Sequence, residues 1–115
     1  MWDVEATDAF GVWWLELAEH EQDDVTAAVE LLAERGPRLP FPYCSGIRGS
    51  RFSHLRELRI QSRGAPVRVF YAFDPRRVAV LLTGGIKSGN EKRFYKDLVA
   101  KADKIYEQHL KGLED

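Results

Sequence analysis

An α+β fold is predicted, with an N-terminal helical hairpin and a C-terminal helix packed on a twisted antiparallel sheet in the order β-α-α-β-β-β-α. Three observations predict it. Apolar residues recur at spacings of three and four in the N-terminal third and again from Phe94 onward. Between these stretches, apolar runs cover Leu55 to Gln61, Val67 to Phe73 and Val78 to Thr83. The links between those runs, SRGAP and DPRR, are short turn sequences that suit an antiparallel meander. The 115 residues suit one domain, 1–115, built on one core.

The elements follow in chain order. Trp2 and Val4 alternate with Asp3 and Glu5, which predicts a short first strand. Thr7 or Asp8 then caps a helix through Leu17, whose stripe of Phe10, Trp13, Trp14 and Leu17 belongs in the core. A second helix is expected from Asp23 or Asp24, where carboxylates suit the positive end of the macrodipole. It buries Val25, Ala28, Val29 and Leu32, and Gly36 with Pro37 ends it. GPRLPFPYCSGIRGSRFSH is too rich in Pro, Gly and Ser for a helix and is expected as an extended connection and loop. In the meander, Val78 to Leu82 is apolar on both faces and marks a central strand. After TGGIKSGN, a helix from about Glu91 to Leu110 aligns Phe94, Leu98, Ala102 and Ile105.

Composition excludes several classes. No apolar run approaches the roughly 20 residues of a membrane helix. MWDVEATDAF lacks the basic start and apolar middle of a signal peptide, so a cytoplasmic location is expected. Cys44 is the only cysteine, and the three histidines show no zinc spacing, so neither metal nor cofactor is expected. The net charge of −1 conceals an asymmetry: the ten charged side chains from Met1 to Glu34 are all acidic, whereas from Arg35 onward seventeen Lys and Arg face eight Asp and Glu. One surface suits a polyanion and another is acidic.

PVRVFYAFDP, Pro66 to Pro75, concentrates the question of function. Alternation puts Val67, Val69, Tyr71 and Phe73 on one face and Arg68, Phe70 and Ala72 on the other. A guanidinium among apolar neighbours costs solvation unless it is paired or opens onto a wet groove. Arg68 is therefore either a structural partner of Glu57 on the adjacent strand or a working residue. Arg48, Arg51, His54, Arg56 and Arg59 lead into the neighbouring strand, and Lys87, Lys92, Arg93 and Lys96 follow the last one. Strand adjacency can gather these cations into a groove for phosphates, with Phe52, Tyr71 or Tyr95 to stack on an unpaired base. RNA cleavage then needs little else, because the ribose 2′-OH is the nucleophile. The protein supplies in-line geometry, a base, an acid and cations for the phosphorane. His54 suits either proton transfer or a phosphate contact, and His20 and His109 are assigned no chemistry.

LPFP (Leu39 to Pro42), LRELR (Leu55 to Arg59), VRVFY (Val67 to Tyr71) and a strand ending in Gly84-Gly85 before Lys87 carry a resemblance. In that succession the chain resembles the RelE/ParE superfamily of toxins from type II toxin-antitoxin systems, most closely the HigB-like, phage-associated branch. The resemblance implies a metal-independent mRNA endonuclease that acts on translated messages at the ribosome. It also implies restraint by a cognate antitoxin of the helix-turn-helix, HigA-like kind. Arg68 is implied to hold the scissile phosphate, with Lys87, Arg56 and Tyr95 completing the catalytic set and Tyr95 moving protons. Arg48, Arg51, His54, Arg59, Lys92 and Arg93 form the RNA-binding set. Two alternatives stay open: a ParE-like toxin that inhibits DNA gyrase by binding, and a module that binds RNA or antitoxin after losing its chemistry.

Overall fold

Thr7 joins the first strand to the first helix. Its hydroxyl accepts from Phe10 N at 3.1 Å and so caps α1 (Asp8–Leu15). The same hydroxyl donates toward the carbonyls of Leu81 and Leu82 at 3.0 and 2.9 Å, which ties the helix start to the sheet. The structure is a computed structural model and describes residues 1–114. β1 (Val4–Ala6) precedes Thr7, and α2 (Glu19–Arg35) follows α1.

α2 begins four residues before the expected Asp23. The Ala18 N–H donates to Glu21 Oε1 at 2.7 Å, satisfying a donor at the helix start without a hydroxyl cap, and Asp23 and Asp24 fall in the second turn. Gly36 ends the helix as expected. Its φ is +58°, and a Cβ there would overlap the Trp2 indole, so only glycine fits.

A five-stranded sheet follows, built from β1, β2 (Cys44–Gly46), β3 (Arg56–Ser62), β4 (Ala65–Phe73) and β5 (Ala79–Ile86) in the order β1-β5-β4-β3-β2. β2 lies inside the stretch expected as connection and loop, where it pairs antiparallel with β3. β3, β4 and β5 form the expected antiparallel meander. Arg63 and Gly64, with φ of 49° and 83°, make the two-residue turn whose twist matches a hairpin. The sheet is nevertheless mixed, because β1 pairs parallel with β5 through Val4↔Ala79 and Ala6↔Leu81. A three-residue strand can meet a sheet edge from either direction, and its alternation carries no sign of which.

The faces predicted for β4 are observed. Val67, Val69 and Tyr71 join Phe10, Val25, Leu32, Leu58 and Ile60 in a core beneath α1 and α2. Phe70 and Ala72 join Leu55, Leu82, Val99, Ala102 and Tyr106 beneath α3 (Glu91–Glu114). Each fully buried side chain of this size contributes about 1.5–3 kcal/mol. A bulge shifts the β4–β5 register between Phe70 and Tyr71, so that Phe70 faces Thr83 and Tyr71 faces Leu81. Beyond it, a Cβ on Gly84 would meet Trp13 of α1, and one on Gly85 would meet Phe94 of α3. Gly85 sits across from Arg68, so the sheet under the start of α3 is kept thin beside the arginine.

Candidate active site and nucleic-acid interface

The α3 face of β3 and β4 brings Glu57 and Arg68 together. Strand alternation puts Glu57 and Arg59 on that face, with Arg59 opposite Arg68 in register. Arg68 Nε lies 3.2 Å from Glu57 Oε1 and 3.3 Å from Tyr95 Oη, and Nη1 donates to the Val67 carbonyl at 3.2 Å. Arg68 and Glu57 are only 3% and 4% exposed, so this is a buried ion pair. Of the two alternatives for Arg68, the geometry shows the pairing with Glu57, behind the residues that line the candidate site.

Tyr95 reaches the pair from the first turns of α3. Its hydroxyl donates to Glu57 Oε1 at 2.7 Å, and its ring stacks on Phe70 with centroids 6.1 Å apart. Burial and the Glu57 hydrogen bond raise the phenol pKa, against the opposing pull of Arg68. Glu57 Oε2 accepts from Ser45 Oγ at 3.1 Å and lies 3.9 Å from Arg59 Nη1. Glu57 and Tyr95 line a recess of about 370 Å³ with Gly46, Ile47 and Arg48. The recess thus holds a carboxylate acceptor, a protonated phenol and an exposed guanidinium, the parts an acid-base reaction on a phosphodiester needs.

The other predicted residues divide. Lys87 lies 5.9 Å above the Tyr95 ring and pairs with Glu91 at 2.8 Å, which lowers the Glu91 pKa. Arg48, Arg51 and Lys92 line a groove along α3 that meets the recess at Arg48 and Tyr95. Arg51 is engaged there by Glu107 at 3.0 Å, and Arg93 lies 3.8 Å from Asp97. His54 Nε2 lies 2.9 Å from Tyr106 Oη, away from the recess. Arg56 is not brought to Arg68. The two-residue repeat of β3 turns it to the α1–α2 side with Leu58, where Nη2 meets Cys44 Sγ at 3.4 Å and raises the Arg56 pKa.

Glu57 is the structural partner of Arg68 that the sequence offered, and it also lines the recess, which the sequence did not show. Its signal was an acid between Arg56 and Arg59 in an apolar strand. Ser45 gave none, because its strand is recognisable only by its pairing. His109, assigned no chemistry, holds the buried Asp74 at 2.9 Å on the far side of the molecule. Among the described residues no group of three or more His, Cys, Asp or Glu side chains is placed to hold a metal ion.

The family described as "Phage derived protein Gp49-like (DUF891)" matches residues 12–107. A Mycobacterium tuberculosis H37Rv protein named "Putative toxin HigB2" is 39% identical over 115 residues, covering 98% of this chain and 55% of that protein. A second from the same organism, "Putative toxin HigB3", is 39% identical over 98 residues, covering 85% of this chain and 84% of the other. The chain thus spans about half the length of the first relative and most of the second. No solved structure matches the chain significantly. The phage-associated, HigB-like resemblance in the sequence is borne out.

Proposed function

The chain belongs to the Gp49-like family of phage-derived proteins, and from that premise we propose that it is the toxin of a toxin-antitoxin pair, cleaving messenger RNA on the ribosome. The observation that carries the chemistry is the Tyr95–Glu57 hydrogen bond at 2.7 Å, at the edge of a recess that Arg48 overhangs. The Glu57 carboxylate takes the proton of the ribose 2′-OH, whose oxygen attacks the adjacent phosphorus. The phenol of Tyr95 gives its proton to the departing 5′-oxygen, leaving a 2′,3′-cyclic phosphate and a 5′-hydroxyl. Because the nucleophile comes from the substrate, no metal-bound water is required.

Arg68 acts from behind this couple. Unlike Glu57 and Tyr95, it does not line the recess, so it orients those two rather than touching the phosphate. Arg48, which lines the recess, supplies the cation for the developing phosphorane charge, Lys87 adds positive charge over the Tyr95 ring, and Arg59 steadies Glu57 from the other side. Arg51, Lys92 and Arg93 serve the surrounding RNA, and a cognate helix-turn-helix antitoxin restrains the toxin.

Expression of wild type and Tyr95→Phe, with mapping of message 5′ ends, tests the proposal. Growth arrest with new cuts in translated messages is expected for wild type alone. Arrest without cuts, accompanied by DNA damage and inhibited supercoiling, would replace nuclease with gyrase inhibition. Neither arrest nor cuts would leave a binding module.

A further inference from the structure

The groove that holds Arg51 and Lys92, about 820 Å³ in volume, runs from the recess along α3 and is walled on the other side by the 48–51 loop. Lys92, Lys96 and Lys104 share one stripe of α3, at spacings of four and eight residues, so that they step along the groove by about 6 and 12 Å. All three are exposed, and among the described residues neither they nor Arg48 lie within 4.0 Å of a carboxylate oxygen.

The carboxylates that do line the groove are occupied. Asp103 accepts from Ser50 Oγ at 2.6 Å and from the Arg51 N–H at 3.0 Å, and Glu107 takes the Arg51 guanidinium. Asp103 thereby pins the opposite wall to α3 while its own charge is satisfied. Val99 and Ala100 give the floor an apolar strip, and Tyr95 stands where the groove opens into the recess.

Resting on the nuclease reading, we propose that this groove is the track for single-stranded RNA flanking the reacting phosphate, with Lys96 and Lys104 as phosphate contacts beyond the reaction centre. Regularly stepped cations along a trough with an apolar floor and an aromatic at its mouth suit a flexible polyanion whose bases have faces to bury. An acidic protein helix can repeat its charge but has no base faces to lay on the apolar floor.

The test uses the full wild-type chain and the Lys96→Ala/Lys104→Ala variant, with 2′-O-methyl oligouridylates of about four and about twelve nucleotides, lengths that single-strand grooves span. Without a free 2′-OH the probes cannot be cut, so binding is read whether or not the protein is a nuclease. Anisotropy is followed between roughly 50 and 200 mM salt. The expected result is weaker binding of the long probe by the variant, with a salt slope shallower by about 1.4, at about 0.7 per lost phosphate contact. An unchanged slope on the long probe overturns the proposal. So does wild type binding the two lengths equally, or preferring duplex DNA or polyglutamate. Absence of message cuts on ribosomes, with the slope change intact, would instead overturn the nuclease reading and keep the RNA track.

Discussion

Tyr95 Oη donates to Glu57 Oε1 at 2.7 Å across 38 residues of sequence, while Arg68 Nε lies within 3.3 Å of both. Burial and the carboxylate keep the phenol protonated above its ordinary value of 10.0. Tyr95→Phe should therefore lower single-turnover cleavage on ribosomes by about 10²- to 10⁴-fold, the usual loss of a general acid. Tyrosine ionisation should produce no fall in the wild-type rate from neutral pH to about pH 9. An alkaline limb below that point, absent from the phenylalanine variant, would show that Tyr95 works as an anion.

The buried ion pair should show strong coupling. Arg68→Met leaves the buried Glu57 carboxylate with Arg59 at 3.9 Å as its remaining counter-charge and should cost about 3–5 kcal/mol, as should Glu57→Leu, which leaves the Arg68 guanidinium buried without a carboxylate. The double variant should recover most of either loss, because an apolar pair of similar volume needs no counter-charge. Urea denaturation of all four proteins gives the coupling energy. Additive losses would show that the two side chains do not depend on each other.

Acid stability should depend on Asp74. Burial raises its pKa, but hydrogen bonds from Arg76, His109 and the Val78 and Arg76 amides outweigh it and hold the group below 3.8. A depressed folded-state pKa stabilises above the unfolded value and loses that contribution as pH falls through the folded one. Wild type should lose stability as pH drops below about 4, whereas Asp74→Asn should be less stable at neutral pH and flatter on the acid side. Thermal melts across that range check the slope.

Two glycines should respond in opposite directions. A Cβ on Gly84 would sit 2.5 Å from Trp13 Cη2 and 2.8 Å from the Arg68 carbonyl, so Gly84→Ala should cost about 1–3 kcal/mol through overpacking. Gly11 lies within α1 with nothing within 4 Å of an added Cβ, so Gly11→Ala should stabilise by about 0.5–1 kcal/mol. Chemical denaturation distinguishes the signs directly.

The two faces of β4, the Thr7 cap, the Gly36 stop and the three-strand meander were legible in the sequence. Each depends on a repeat or a backbone preference that spans only a few residues. The start of α2 was less legible, because Glu21 reaching back to Ala18 N replaces the expected cap with an unusual one. In the site, alternation placed Arg68 correctly with Phe70 and Ala72, whereas that it is α3 that covers this face, and that Arg56 points to the other one, came from the structure.

Periodicity and local sterics act within a turn or a pleat, so the longer strands and helices, apart from the start of α2, and the alternation of their side chains were already written in the sequence. Only the tertiary structure decided that β1 runs parallel to β5 and that Cys44–Gly46 becomes an edge strand. It alone decided that Tyr95 meets Glu57 over Arg68. Those outcomes depend on which distant groups satisfy one another once water is excluded, and no short window of sequence contains both partners.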